Sequence, residues 1–242
     1  MYAHEKCRGS GSGSICDSGL ILYLSNAMPG RHSIKLSYIL LNKPYGVLCQ
    51  FSGAAGRDTL ARFGPFPKDV YPAGRLDADS EGLVLLTNDG RLKHLLLDPQ
   101  YGHPRTYLVQ VEGCPTHEAL AKLNKGVVIE RRKTLPADVQ LLSTEPDLPP
   151  RPVPIRFRKN VPTAWMKITL SEGRNRQVRK MTAAIGYPTL RLIRIRIGPL
   201  EIGQLGPGEH RELLPPEIEK LRRELLQCAP PRFPSRRQRV TG

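Results

Sequence analysis

Residues 74–90 read Gly-Arg-Leu-Asp-Ala-Asp-Ser-Glu-Gly-Leu-Val-Leu-Leu-Thr-Asn-Asp-Gly, so that Asp77, Asp79 and Glu81 crowd one short stretch directly ahead of an apolar run. Leu83-Val-Leu-Leu86 is too short for a helical core and is bounded by the turn chemistry of Asn88-Asp89-Gly90. It therefore predicts a buried strand fed by an acidic loop. The chain around this loop is strongly basic, with a formal net charge of +15. Clustered carboxylates in such a chain point either to a metal loop or to an active site that reaches for a polyanion.

The calcium reading is tested by spacing. Asp77, Asp79, Glu81 and Gly82 fall at the first, third, fifth and sixth positions of an EF-hand-like loop. The ninth position is then Leu85, and the twelfth, where a bidentate Glu closes the site, is Asn88. The strand and turn that follow Gly82 also stand where an exiting helix belongs. What survives is an Asp presented on a loop, with Arg75 two residues before it, and a turn-capping role for the other acids.

Two further segments carry chemistry-bearing residues. Arg105-Thr-Tyr-Leu-Val-Gln-Val111 alternates with period two, which puts Tyr107, Val109 and Val111 on one face of a strand. Glu172-Gly-Arg-Asn-Arg-Gln-Val-Arg-Lys-Met181 has Val178, Met181 and Ile185 at helical spacing, so a helix begins here with several guanidinium groups in its first turn. Taken alone, a strand tyrosine is a core or rim residue and a charge run is a solvated face.

Taken in order, these motifs resemble the pseudouridine synthases of the RsuA/RluE type. The opening Leu40-Leu-Asn-Lys-Pro-Tyr-Gly-Val-Leu48, the Gly74–Gly90 segment, the Tyr107 strand and the Gly173–Arg179 segment each match in turn, over roughly residues 37 to 212. Arg105 stands where the family usually has Lys. Residues 1–36 are too few for the small S4 RNA-binding module of many relatives, so the likeness is to the RluE-type branch, which acts on a uridine in 23S ribosomal RNA.

The resemblance implies an α+β pseudouridine synthase fold, with a central, mostly antiparallel mixed β-sheet flanked by helices, bilobed around a central active-site cleft. It implies Asp77 as nucleophile, Tyr107 stacked on the target base, and Arg179 paired with Asp77; an adjacent cation keeps a partly buried carboxylate ionised. Arg75, by the same likeness, fills the space left by a flipped-out base. Arg105, Arg174, Asn175, Arg176, Gln177, Lys180, Arg191 and Arg194 are the further candidate RNA contacts. The reaction breaks N1–C1′ and rejoins uracil through C5, with no redox change and no metal or cofactor. A carboxylate beside C1′ serves by covalent attack or by stabilising loss of the base.

Charge distribution agrees with an RNA substrate: residues 151–200 hold 12 basic residues against the single acid Glu172. No apolar run approaches membrane-spanning length, and Leu20-Ile-Leu-Tyr-Leu24 is too short for a signal-peptide core. Cys7, Cys16, Cys49, Cys114 and Cys228 are scattered and odd in number, which predicts free thiols in a reducing cytoplasm. The partner expected is 23S ribosomal RNA, free or in pre-ribosomal particles, met by a monomer.

Organisation along the chain predicts three parts: a flexible N-terminal extension over 1–36, containing Gly9-Ser-Gly-Ser-Gly-Ser14; a catalytic domain over 37–228; and a basic, disordered tail over 229–242. Met1 and Met28 both stand as possible starts. Strands are expected near 37–42, 46–51, 83–87, 106–112, 164–170 and 191–197, helices near 116–124 and 176–185, and a last helix after Pro215-Pro216. The Pro-dense stretch 145–154 is expected to be an extended connection. Two other functions remain open: a non-catalytic RNA-binding or ribosome-assembly protein, and a nucleoside or glycoside hydrolase using Asp79 as a second working acid.

Overall fold

The computed structural model describes residues 35–53, 56–155 and 161–227. The expected tails, over most of 1–36 and all of 229–242, lie outside the described residues, as do Cys7, Cys16 and Cys228. Cys49 and Cys114 are free thiols.

In chain order the elements are β1 (Tyr38–Lys43), β2 (Tyr71–Pro72), β3 (Glu81–Thr87), α1 (Gly90–Leu97), β4 (Arg105–Glu112), α2 (His117–Lys125), β5 (Val128–Ile129), β6 (Arg132–Lys133), β7 (Asp138–Leu141), β8 (Thr163–Leu170), α3 (Gln177–Ala184), β9 (Thr189–Ile197), β10 (Leu200–Glu201), β11 (His210–Glu212) and α4 (Pro215–Gln227). The main sheet runs β11-β1-β3-β9-β4-β8-β7, with β2 on β3 and β10 on β9, while β5 and β6 form a separate hairpin. Every pairing in it is antiparallel except β3 with β9, where Glu81 meets Ile193 and Gly82 meets Arg194. The result is an α+β fold with a mixed, mostly antiparallel sheet.

That short parallel contact is the seam between two half-sheets. On one side, β1 and β3 are buried on both faces. Leu40, Leu83 and Leu85 pack under Leu92 and Leu96 of α1 and Leu221 and Leu225 of α4, while Ile39, Leu41, Val84 and Leu86 pack on the opposite face against Val47, Leu60 and Leu76. Two-sided burial explains why Leu83–Leu86 reads as an unbroken apolar run and not as an alternating one. On the other side, Val109, Val111, Met166 and Ile168 pack with Leu120 and Leu123 of α2 and Val178 and Met181 of α3. Tyr107 packs against a cluster from each half.

Gly82 makes the seam possible. Its φ is +104°, and a Cβ there would stand 2.3 Å from the Arg194 carbonyl oxygen and 2.7 Å from the Arg194 nitrogen. Only a residue without a side chain lets the two strands approach this closely.

Two expectations are corrected. Residues 46–51 form no strand beyond a bridge from Leu48 to Thr59: Gly46 turns the chain at φ +84°, and Leu48 and Gln50 bond across to the 58–60 segment. The Asn88-Asp89-Gly90 turn does lead into a helix, because the Asp89 side chain accepts from Leu92 N and caps α1. The stretch 145–154 has no helix or strand, as its prolines require. No helix among the described residues is long and apolar enough to cross a membrane.

Candidate active site

The acidic loop approaches the seam just before β3. Ser80 N donates to Asp77 O at 3.0 Å, closing a tight turn with Asp77 at its first corner. The Lys-Pro segment after β1 holds this turn in place. Gly46 N donates to Ala78 O at 2.7 Å, and Lys43 Nζ donates to the carbonyls of Pro44 and Val47 at 2.9 Å and of Ala78 at 3.5 Å. Lys43 is fully buried, and burial lowers its ammonium to about 8 although Cys49 and the acids Glu81, Asp79 and Asp77 pull the other way. Three carbonyl acceptors make a lysine tolerable there.

Asp77 faces a pocket of about 390 Å³ whose walls come from both halves: Arg75 and Ser80 from the acidic loop, Tyr107 from β4, Asn175 and Arg176 from the entry to α3, and Leu192 from β9. Arg176 sits at the N-cap of α3 with φ +51°, a left-handed conformation unusual for a residue with a side chain. From there it reaches back to the acidic loop, with its Nη1 3.5 Å from Asp77 Oδ2. It also grips Asp79 in a bidentate pair, at 3.0 and 2.7 Å. Burial pushes the Asp79 carboxyl up, but the Arg176 hydrogen bonds and the Arg179 charge outweigh it, and the group is held below the usual carboxylate range. The same pair raises Arg176.

The pairing expected between Arg179 and Asp77 is corrected. Arg179 Nη2 donates to the Asp79 backbone oxygen at 2.6 Å and Nη1 donates to Thr189 O at 3.3 Å. Its Nε comes within 3.4 Å of Asp79 Oδ2, close enough for an ion pair but not aligned as a hydrogen bond. Arg179 therefore fixes the peptide and side chain two residues past Asp77, while Arg176, one turn earlier, is the cation beside Asp77. Asp79 and Glu81 are likewise more than turn or cap residues. Glu81 opens β3, buried, in a bidentate pair with Arg191 at 3.0 and 2.8 Å across the seam. All three carboxylates thus face guanidinium groups, and no group of three or more His, Cys, Asp or Glu side chains gathers as a metal site among the described residues.

The candidate RNA contacts divide. Arg75, Asn175 and Arg176 are exposed and line the pocket. Arg174 lines it too, but its guanidinium also donates to Arg132 O and Lys133 O and pairs with Glu172. Lys180 is drawn to Glu130 and Asn175. Three candidates are corrected, because each is buried. Gln177 accepts from Arg174 N and donates to Glu172, bracing the start of α3. Arg191 is bound to Glu81 and to Pro149 O. Arg194 donates from Nε to Leu83 O across the seam.

Arg105 and Arg194 nevertheless shape a second pocket of about 220 Å³ that shares Arg75, Tyr107 and Arg174 with the first. Burial lowers the Arg105 guanidinium and the nearby Arg194 charge adds to that, while Tyr107 opposes it. Arg105 donates to Leu96 O and His103 O, and neither it nor Arg194 pairs with a carboxylate among the described residues. His103, buried on the same wall, is held below the ordinary imidazole value by desolvation and by Arg105, against the Leu95 carbonyl. His103, the Lys43 anchor and the Glu81–Arg191 pair were not found from sequence. Only Lys43, beside Pro44 at the end of an apolar strand, left a local signal.

A model of the RNA pseudouridylate synthase family matches residues 37–184. Over 171 residues the chain is 55% identical to "Ribosomal large subunit pseudouridine synthase E" of Xanthomonas axonopodis pv. citri, covering 70% of this chain and 90% of that protein. It is 53% identical to the protein of the same name from Vibrio parahaemolyticus, covering 72% of this chain and 73% of the relative. A crystal structure described as a pseudouridylate synthase superposes with a TM-score of 0.65 at 32% identity, over 77% of this chain and 74% of that one.

Proposed function

This chain belongs to the RNA pseudouridylate synthase family, and from that premise we propose that it isomerises one uridine of 23S ribosomal RNA to pseudouridine, with Asp77 as nucleophile. The observation that carries the assignment is the position of Asp77: on a braced turn, beside Arg176 at 3.5 Å, in a pocket shared with Tyr107. The target base is flipped into that pocket, at a cost of a few kcal/mol in lost stacking and pairing. Tyr107 supports the flipped ring and Arg75 fills the slot it leaves. The Asp77 carboxylate acts at C1′ as N1–C1′ breaks; the uracil turns, C5 bonds to C1′, the C5 proton leaves and N1 regains one. The guanidinium groups of Arg105 and Arg176 meet the flanking phosphates. The protein acts as a monomer in the cytoplasm, on 23S RNA free or in pre-ribosomal particles.

The hydrolase alternative loses its second acid. A general acid needs a raised pKa, whereas Asp79 is held low by two arginines. The Asp77→Asn variant tests the proposal. It is expected to lose pseudouridine formation on unmodified ribosomal RNA. Thermal stability should stay close to wild type, since its part-exposed ion pair is worth at most about 1 kcal/mol. Preserved turnover by Asp77→Asn refutes the assignment.

A further inference from the structure

Tyr71 is 57% exposed, and no other tyrosine, phenylalanine or tryptophan among the described residues is exposed to that extent. A lone exposed apolar side chain is ordinary. The setting of this one is not. Tyr71 lies on the edge strand β2, pinned opposite Thr87, so its ring stands on a rigid backbone. It forms the wall of an open depression of about 450 Å³ with Cys49, Phe51, Arg75, Lys93 and Leu97. Phe51 is fixed from behind by an edge-to-face contact with Phe66, ring centroids 5.7 Å apart. Lys93 Nζ stands 5.9 Å from the Tyr71 ring centroid, at the outer edge of a cation–π contact. Neither Lys93 nor Arg75 pairs with a carboxylate among the described residues.

The depression adjoins the candidate active site. Gly74, Arg75 and Leu97 line both it and the arginine-rich pocket beside Tyr107. Arg75 thus stands between the Asp77 pocket on one side and an aromatic, cationic hollow on the other. Flipping a base removes a stacking partner from its neighbour, and a side chain filling the gap does not restore an aromatic face. Exposed aromatic rings flanked by cations are how proteins hold unstacked bases, because every base offers a π-face and every nucleotide a phosphate.

We infer that Tyr71, with Phe51 lining the same depression and Lys93 beside it, is a stacking platform for an unpaired RNA base adjacent to the modified uridine. This rests on the synthase reading for the identity of the RNA, but the platform itself is judged by binding. Tyr71 is exposed, so its replacement leaves the core untouched.

The test uses the full chain and an unmodified transcript of large-subunit ribosomal RNA, with affinity measured across a salt series and pseudouridine formation measured alongside. Tyr71→Ala is expected to weaken binding by about 5- to 150-fold, the range for loss of one base–aromatic stack. The slope of log affinity against log salt should stay unchanged. Tyr71→Phe should bind like wild type. Lys93→Ala should flatten that slope by about 0.7 to 0.9, the signature of one lost phosphate contact. Wild-type affinity in Tyr71→Ala, or a loss in Tyr71→Phe equal to that in Tyr71→Ala, overturns the platform even if turnover is intact. Tyr71-dependent binding by a wild-type protein that forms no pseudouridine overturns the synthase reading and leaves the platform standing. A wild-type protein that does not bind the transcript overturns both.

Discussion

Replacing Glu81 by Ala removes the carboxylate from a pair that is almost sealed from water, with side-chain exposures of 8% for Glu81 and 9% for Arg191. Arg191 retains a bond to Pro149 O but loses both contacts that compensate its charge. Leaving one member of a buried pair alone costs about 3–5 kcal/mol, a large part of the roughly 5–15 kcal/mol by which such proteins are stable. For a chain of this size that is a fall in Tm of roughly 6–20 °C. Urea and thermal unfolding of the wild type, Glu81→Met, Arg191→Met and the double variant Glu81→Met/Arg191→Met form a double-mutant cycle, with Glu81→Ala measured alongside. The double variant is expected to recover most of the loss, because an apolar pair of similar volume is often neutral or better in a buried site. A loss below about 1 kcal/mol in Glu81→Ala, or a double variant as unstable as the sum of the singles, refutes the buried-pair argument. RNA binding supplies the second arm: Arg191→Met should leave the salt slope unchanged, whereas a decrease of about 0.7–0.9 would return Arg191 to the RNA surface.

Lys43 gives a pH dependence of defined sign. Its pKa falls from 10.5 to about 8 on folding, so the unfolded chain binds the extra proton between those values. Its contribution is complete above pH 10.5 and is lost as pH falls through about 8, a change of roughly 3 kcal/mol. The stability difference between wild type and Lys43→Met, from urea unfolding, should grow in favour of wild type as pH rises from 8 to 10; parallel pH profiles would contradict the lowering of the Lys43 ammonium by burial. In single-turnover assays Arg179→Ala should lower the rate on the order of 10²-fold, by loosening the Asp79 peptide two residues from Asp77. Lys180→Ala should change it less than about 5-fold, since its partner Glu130 is largely exposed; equal effects would count against the positioning role of Arg179.

Local patterns in this chain determined most of the elements. The apolar run before Asn88 is β3, the alternation around Tyr107 is β4, and the Val178–Met181 spacing is α3. Each of these depends on neighbours a few residues away, which is the range over which periodicity and turn chemistry act. The Gly-Arg-Leu-Asp and Gly-Arg-Asn-Arg-Gln-Val-Arg spellings also identified the residues that meet at one pocket. Which charge faces which was decided only by the tertiary structure. Arg176 and Asp79 are 97 residues apart in sequence, and Arg191 and Glu81 are 110 apart. In the Thr189–Ile197 strand Arg191 and Arg194 are candidate RNA contacts by sequence, yet both are buried because β9 joins the two half-sheets and is covered there. Burial at a seam is a property of how two distant strands meet. No local pattern encodes it except the small residue, Gly82, that lets them touch.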